Sequence, residues 1–443
     1  MTKPHQMLHL LLGMLLLIAV APSISEGAIS SPYKKSKSQS TAEASTRGTS
    51  SAVFPLSGDV YPNGLYYVTM NIGNPAKPYY LDVDTGSDLT WLQCDAPCRS
   101  CSKVPHPLYR PTKQKLVPCS DPICSALRQC EAAQCDYEVQ YADQGSSLGV
   151  LVSDAFTLRL TNSSTVRPTL TFGCGYDQQL SNPNAPASTD GVLGLGGGKV
   201  SIMSQLKDQG ATRNVVGHCL GRNGGGFLFF GDDLVPYSKV TWAPLSLRSK
   251  NYSPGSASLY FGGKSLGVKQ MDVVFDSGSS YTYFTSQAYQ ALVSAVKSDI
   301  GDKLKVASND PSLPLCWKGQ KPFKSISDVR KYFKSVVLSF VNGKKSLLEI
   351  PPDNYLVVTE YGNACLGILN GSEVGLKDFS VIGDITLQDL MVVYDNENGQ
   401  IGWIKTACDR LPNADSEGAG FGLDGLCRDI LNEDCNIYSA LFG

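Results

Sequence analysis

Short runs of alternating apolar and polar residues, bounded by Gly, Pro and Asn, follow one another along most of the chain. Leu65–Gly73 ends at a Gly-Asn-Pro sequence, and Tyr79–Val83 leads directly into Asp84. Such alternation is typical of a strand with one buried face. Two segments have helical spacing: Ser201–Leu206, and Ser286–Lys297 with a serine as its N-cap. The pattern therefore predicts an all-β protein with a few short helices.

The second half of the chain repeats the order of the first. The strand-like run Asp272–Phe275 leads into Asp276, as the earlier run leads into Asp84. In both halves an apolar-apolar-Gly sequence follows the Asp, at Gly191–Leu195 and at Ser380–Asp384. The spacing from each Asp is nearly equal and too long for a solenoid repeat. We therefore expect two lobes of common design.

The N-terminus is typical of an exported protein. Leu10–Ala21 is almost wholly apolar, follows Lys3 and His5, and leads into small residues. Because this run is short for a membrane span, a cleaved signal peptide is favoured over the alternative, a short anchor helix. A Ser/Thr-rich segment with few residues to bury comes next. The predicted divisions are 1–27 signal peptide, 28–60 propeptide or disordered linker, 61–244 N-terminal catalytic lobe, 245–408 C-terminal catalytic lobe and 409–443 tail.

Composition narrows the possible partners and the compartment. The 443 residues carry a net charge of -2, and no basic patch typical of nucleic-acid binding is present. Beyond the leader, no apolar run reaches a transmembrane length. All 14 cysteines lie after the leader, which predicts disulfides in an oxidising compartment. We expect a secreted or vacuolar glycoprotein with no membrane anchor and no nucleic-acid partner.

Seven of the cysteines fall between Cys94 and Cys135. An odd number of cysteines cannot all pair with one another. If all seven are oxidised, at least one disulfide is therefore expected to join this cluster to a cysteine outside it. The spacing of Cys94, Cys98 and Cys101 could also suggest a zinc knuckle, but disulfides are favoured in an exported chain, and no metal or cofactor is expected. Candidate glycan acceptors are Asn162, Asn370 and, weakened by the following Pro254, Asn251.

The chemistry is expected at two copies of an Asp-hydroxyl-Gly-hydroxyl motif. The motifs are Asp84-Thr85-Gly86-Ser87 and Asp276-Ser277-Gly278-Ser279. Gly suits a sharp loop with close backbone approach. The first hydroxyl can bond across to the partner loop, and the second can donate to the carboxylate and orient it. One copy alone would be an ordinary Asx-type turn, but two copies at the ends of strands predict one site with two carboxylates.

Two carboxylates held together cannot both ionise cheaply, so the pair keeps one proton over an acidic range. One Asp then acts as a base toward a shared water, and the other protonates a substrate carbonyl oxygen. The sequence thus predicts hydrolysis at acidic pH without a covalent intermediate.

These residues resemble those of the pepsin-like aspartic proteases over about Leu65 to Cys408. The resemblance implies a bilobal double β-barrel in which Asp84 and Asp276 hydrolyse peptide bonds. It also implies a flap at Tyr141–Ser147, whose Tyr141 closes over a polypeptide substrate and bonds Trp91. A packed strand aromatic is the alternative for Tyr141.

In detail the chain is similar to the plant nucellin-like branch, which is related to nepenthesin. The features are the sequence DTGSDLTWLQCDAPC, the cysteine-rich insertion before the flap, FGCGYDQ at Phe172–Gln178 and VVGHCL at Val215–Leu220. The resemblance implies a Cys316–Cys365 disulfide and, more weakly, a link from Cys174 to Cys408. It also implies a monomer made as a zymogen.

Other functions require residues that the sequence lacks or arranges differently. A Ser or Cys hydrolase needs a base, and His106 and His218 lie in no nucleophile motif. His218 is interpreted as a structural neighbour of a disulfide at Cys219. A two-carboxylate glycosidase does not require hydroxyl-flanked Asp loops. The main alternative is an inactive pepsin-like binding or inhibitor protein.

Overall fold

The computed structural model describes residues 50–96, 101–127, 130, 133–142, 145–179, 187–342 and 344–411. The signal segment, residues 28–49 of the predicted propeptide or linker, and Cys427 and Cys435 of the tail lie outside these residues. Residues 52–59 of the predicted propeptide or linker form a strand with buried residues. Among the described residues, no helix is both long enough and apolar enough to cross a membrane.

The described chain consists mainly of strands. They are β1 (Ala52–Asp59), β2 (Leu65–Ile72), β3 (Lys77–Asp84), β4 (Trp91–Gln93), β5 (Asp136–Gln140), β6 (Ser146–Arg159), β7 (Thr165–Val166), β8 (Thr169–Gln179), β9 (Gly191–Gly194), β10 (Val215–Leu220), β11 (Gly226–Phe230), β12 (Thr241–Pro244), β13 (Gly255–Phe261), β14 (Lys264–Ser265), β15 (Met271–Phe275), β16 (Thr282–Phe284), β17 (Lys305–Val306), β18 (Cys316–Lys318), β19 (Val336–Asn342), β20 (Lys344–Ile350), β21 (Leu356–Val358), β22 (Ala364–Leu366), β23 (Ile368–Asn370), β24 (Ser380–Ile382), β25 (Leu390–Asp395) and β26 (Gln400–Lys405).

The helices are short, apart from one. They are α1 (Cys124–Leu127), α2 (Ile202–Asp208), α3 (Ser286–Ile300), α4 (Ile326–Val329) and α5 (Asp384–Leu387). Single 3-10 turns lie at Lys113–Lys115, Gly301–Lys303, Arg330–Tyr332, Pro352–Asn354 and Gly371–Val374. The predicted all-β architecture is confirmed, and both predicted helices form.

The predicted serine cap of the longer helix is wrong. Thr285 occupies the N-cap position of α3 and makes no side-chain cap bond. Ser286 is instead the first helical residue, and its hydroxyl bonds Asn370 and Ser372.

The two halves place their Asp motifs in the same local topology. In the first half, the strand order is β3, β9, β4 and β8. The β3–β9 and β4–β8 pairs are parallel, and the β9–β4 pair is antiparallel. In the second half, β15, β24, β16 and β23 repeat these pairings in the same senses. Each motif therefore leaves a strand beside the apolar-apolar-Gly strand that the sequence repeat indicated.

The C-terminal strands complete the sheet that carries Asp84. In this sheet β25 pairs with β10, and β26 pairs with β25 and β12. The residues of β25 are all buried, as are those of β10. Burial of such continuous apolar strands supplies the main driving force for the fold. The predicted domain boundaries at 60, 244 and 408 stay a prediction.

Disulfides connect distant segments of the described chain. Cys94 is bonded to Cys174, so one bridge leaves the odd cysteine cluster, as expected. Two bridges between described residues lie within that cluster, Cys119–Cys130 and Cys124–Cys135. The suggested link from Cys174 to Cys408 is wrong, because Cys408 is bonded to Cys219. Spacing along the sequence cannot show that β8 lies beside β4 or that Cys408 lies beside Cys219 of β10.

Candidate active site

The structure brings the two motif aspartates together. Asp84 is the last residue of β3, and Asp276 directly follows β15. Both aspartates line the same cleft, and Asp84 is only 7% exposed. The chain thus holds a carboxylate pair at the meeting point of its two similar halves.

The loop after each Asp holds its carboxylate in the same way. Backbone N–H of Gly86 donates to Asp84 Oδ1 at 2.7 Å, and the hydroxyl of Ser87 donates to Oδ2. The equivalent bonds at Asp276 come from Gly278 N–H at 2.9 Å and from Ser279 Oγ at 2.8 Å. Donors to both oxygens fix the plane of each carboxylate, so the sites are preorganised.

The glycine of each motif leaves room for the opposite carboxylate. A Cβ added to Gly86 would lie 2.5 Å from Oδ1 of Asp276, and one added to Gly278 would lie 2.5 Å from Oδ1 of Asp84. Since such contacts are too short for any side chain, glycine is required here by the close approach of the partner carboxylate.

The first hydroxyl of each motif locks the two loops together. Thr85 N–H donates to Ser277 Oγ at 3.2 Å, and Ser277 N–H donates to Thr85 Oγ1 at 3.0 Å. Ser277 Oγ also donates to the carbonyl of Val83 at 2.7 Å. All of these contacts are buried, so the cross-lobe bonds are shielded from water.

Burial dominates the electrostatics of the carboxylate pair. Burial, and then the neighbouring charge of Asp276, raise the pKa of Asp84 to about 7, against the lowering effect of the Ser87 and Gly86 hydrogen bonds. Burial likewise raises the pKa of Asp82 and of Asp384 well above the usual range. Protons are therefore retained in this acidic cluster well above the pH at which a free carboxyl group loses them.

A hairpin lines one side of the cleft. It is formed by β5 and β6, and Tyr141 follows β5 directly. The indole Nε1 of Trp91 donates to Tyr141 Oη at 2.6 Å. The expected Tyr–Trp contact is thus present, although residues 143 and 144 of the predicted flap tip lie outside the described residues.

The cleft between the motifs has a volume of about 550 Å³. Its lining includes both aspartates and both tips of the motifs, together with Tyr141 and Trp91. A cleft of this size that is open to solvent can accept a segment of extended peptide.

Sequence reasoning missed one contact at the cleft. Asn251 was a weak glycan candidate, but its side-chain amide donates to the carbonyl of Gly86 at 2.9 Å. Tyr252 and Ser253 of the same tripeptide are buried. Only the tripeptide pattern could be recognised in the sequence, and it indicated a different role.

The other candidates lie away from the carboxylate pair. Asn162 is exposed in the turn after β6, and Asn370 ends β23 with its side chain bonded to Ser372 and Ser286. Cys316 and Cys365 are joined across β18 and β22, which is the pairing that the resemblance implied.

Neither histidine is among the described residues that line the cleft. His106 bonds Asp190 through Nδ1 at 2.7 Å. His218 is fully buried and bonds Tyr394 Oη at 3.0 Å, while its neighbour Cys219 forms a disulfide. Burial lowers the pKa of His218 to about 3, so this side chain stays neutral. The placement agrees with a structural role for His218.

Among the described residues, ligand-type side chains also form two groups at disulfides. The groups are Cys119, Cys124 and Cys130, and Asp310, Cys316 and Cys365. All of these cysteines are already oxidised, so their sulfur atoms are not thiolate ligands.

Comparisons with known protein families match both halves of the chain. Residues 66–232 match the family model described as "Xylanase inhibitor N-terminal", and residues 259–405 match "Xylanase inhibitor C-terminal".

Curated relatives are named as proteinases. The chain is 49% identical to an aspartic proteinase of Oryza sativa subsp. japonica over 83% of this chain and 94% of the relative. It is 30% identical to "Aspartic proteinase 39" of Arabidopsis thaliana over 82% of this chain and 79% of the relative.

Solved structures share the fold at low identity. Basic 7S globulin from soybean superposes with a TM-score of 0.65 at 18% identity, covering 83% of this chain and 99% of the globulin. Conglutin gamma from lupine seeds also gives 0.65 at 18% identity, covering 81% and 96%.

Proposed function

The chain belongs to the plant pepsin-like aspartic proteinase family and is an aspartic endopeptidase, and we propose that Asp84 and Asp276 are its catalytic pair. The nucellin-like branch is the subtype that we infer, from the cysteine-rich insertion. The observation that supports the pair most directly is that both carboxyl groups line one cleft, each with donors to both of its oxygens.

Hydrolysis by this pair requires one ionised and one protonated carboxyl group. The ionised group takes a proton from a water held between Asp84 and Asp276, while the other donates its proton to the oxygen of the scissile carbonyl. The resulting tetrahedral intermediate collapses when the carboxyl group that took the water proton gives it to the leaving nitrogen, while a hydroxyl of the intermediate returns a proton to the other carboxylate. Because the nucleophile is water, no bond to the enzyme forms at any step.

The remaining site residues position these reactants. Ser87 and Ser279 hold the outer carboxylate oxygens, and the crossed bonds of Thr85 and Ser277 fix the separation of the two loops. Tyr141, bonded to Trp91, would close over an extended peptide whose backbone pairs with the flap like an added strand.

Both matched family models are named after inhibitors, so an inactive binding protein is the relevant alternative. Such a protein needs neither an oriented carboxylate pair nor glycines that make room for it. Both features are present, and they favour catalysis.

The test is cleavage of denatured globin by the purified, processed protein between pH 3 and 7. We expect an acidic optimum, inhibition by a transition-state peptide analogue, and a loss of at least about 1,000-fold in kcat for Asp84→Asn and for Asp276→Asn. Asp272→Asn is the matched control, because Asp272 is exposed on β15 and bonds Ser256 away from the cleft. Activity that survives both substitutions at the pair would refute the assignment.

The compartment and the activation route also belong to the proposal. Disulfides at Cys94, Cys219 and Cys316 support export to an oxidising compartment, either the cell wall or the vacuole. We expect a monomeric zymogen whose N-terminal segment is removed on acidification. Mass spectrometry of the N-terminus before and after acid treatment checks this, and an unchanged terminus would contradict it.

A further inference from the structure

Asp82 is a third carboxylate in the cleft, and the proposed mechanism does not use it. It lies two residues before Asp84 on β3, where Tyr79, Leu81 and Val83 are buried in the core. Because side chains alternate along a strand, Asp82 and Asp84 project from the same face. Asp82 is accordingly among the residues that line the cleft.

The carboxylate of Asp82 is poorly satisfied within the described structure. Its Oδ1 is enclosed and has no hydrogen-bond partner among the described residues. Burying such an atom is costly unless a donor reaches it. A polar donor that arrives through the cleft would remove this cost.

The surroundings of Asp82 suit a long side chain with a cationic end. Val192 is its register partner on β9, and Trp91 is in turn paired with Val192, so both lie on the cleft face beside it. Tyr67 is its register partner on β2. Apolar and aromatic walls can cover the methylene stem of Lys or Arg, while the carboxylate meets the charged head. Among the described residues that line the cleft, none is Lys, Arg or His.

The other half of the cleft differs at the corresponding position. Val274 lies two residues before Asp276 and pairs in register with Val381, as Asp82 pairs with Val192. Val274 and Val381 both line the cleft, together with Leu376 and Phe379. The pseudo-symmetric site is therefore acidic beside one catalytic carboxylate and apolar beside the other.

We propose that the enzyme, acting by the proposed function above, selects peptides with Lys or Arg on one side of the scissile bond and an apolar residue on the other. Asp82 binds the cationic side chain and is the specificity-determining residue. The apolar side chain packs against the surface around Val274. This inference rests on the assignment of Asp84 and Asp276 as the catalytic pair.

The groups that face Asp82 also determine how it titrates. Burial, and then the charges of Asp84 and Asp276, raise its pKa, whereas the Val83 backbone bond lowers it. A bound lysine ammonium adds a positive charge next to the group and favours its ionised form. Binding of a cationic side chain and ionisation of Asp82 therefore support each other.

The experiment measures kcat/KM of the processed enzyme on quenched peptides that differ only at the two residues flanking the scissile bond. Lys is compared with norleucine, which keeps the stem and lacks the charge. We expect a preference for Lys of about 10- to 100-fold at one flanking position, typical of a charged hydrogen bond. Asp82→Asn should reduce the ratio of kcat/KM for the Lys peptide to that for the norleucine peptide to less than about threefold.

Two further variants complete the design. Val274→Asp should create a Lys preference at the other flanking position. Asp82→Val, which copies the mirrored residue, replaces Asp82→Asn if the amide variant does not fold. A wild-type enzyme without a Lys preference would overturn this inference but not the proposed function. An Asp82→Asn variant that keeps the preference would do the same. Failure to cleave any peptide would refute the proposed function and this inference together.

Discussion

Ser277→Ala tests whether the crossed hydroxyl contacts hold the two halves together. The substitution removes the acceptor for Thr85 N–H and the donor to the carbonyl of Val83, at 3.2 and 2.7 Å. Both partners are buried, and an unsatisfied buried group costs about 1–3 kcal/mol. Because the cavity left by one oxygen atom is small, we expect a loss of about 2–4 kcal/mol in the free energy of unfolding.

The assay is urea unfolding at pH 5 combined with kcat on a peptide substrate. Ser277→Thr is the matched control, since it keeps the hydroxyl and copies Thr85 of the first motif, and it should lose less than about 1 kcal/mol. We expect kcat of Ser277→Ala to fall as well, because the spacing of the carboxylates depends on these bonds. A stability within about 0.5 kcal/mol of wild type would show that the crossed contacts are not energetically coupled to the fold.

Three further predictions concern the same site. Gly278→Ala should abolish activity in a protein that still folds, as judged by circular dichroism, because its Cβ would lie 2.5 Å from Asp84 Oδ1. Since the pKa of Asp84 is raised to about 7, the folded state holds this proton where the unfolded chain has lost it, so stability should fall as pH rises from about 4 to 7. Asp84→Asn should make that slope shallower in urea titrations, while the raised pKa values of Asp82 and Asp384 maintain the remainder. An unchanged slope would contradict the assignment of the proton. Tyr141→Phe removes the acceptor for Trp91 Nε1 and should lower kcat/KM about tenfold with little change in unfolding free energy, whereas unaltered kinetics would exclude a role in closure.

Local patterns predicted the parts of the site that depend on neighbours in sequence. Alternation identified the strands that end at Asp84 and Asp276, and the apolar-apolar-Gly repeats identified β9 and β24 beside them. Motif chemistry predicted that the hydroxyls orient the carboxylates. These relations are set by strand periodicity and by loops of a few residues, so they can be recognised in the sequence.

Contacts between distant segments could not be predicted in this way. Cys94 and Cys174 are neighbours only because β4 and β8 pair, and Asn251 reaches Gly86 only because the halves meet. Asp82 is a comparable case. Its alternation with buried residues along β3 shows that it lies on the face of the strand opposite the core, but the sequence does not show that this face lines the cleft. The helix cap failed for a different reason, because Ser286 bonds Asn370 and Ser372 rather than the first turn of its own helix.

The position of β25 and β26 in the first sheet has a consequence for biosynthesis. The segment Leu390–Lys405 supplies inner strands to a sheet whose other members lie roughly 150 to 340 residues earlier in the chain. A ribosome-bound chain that has not yet released this segment lacks one of the two neighbours of β10, and pairing over such long sequence separations is slow. The native topology can therefore form only when translation is nearly finished. Any risk of premature proteolysis by the enzyme is deferred to the same point.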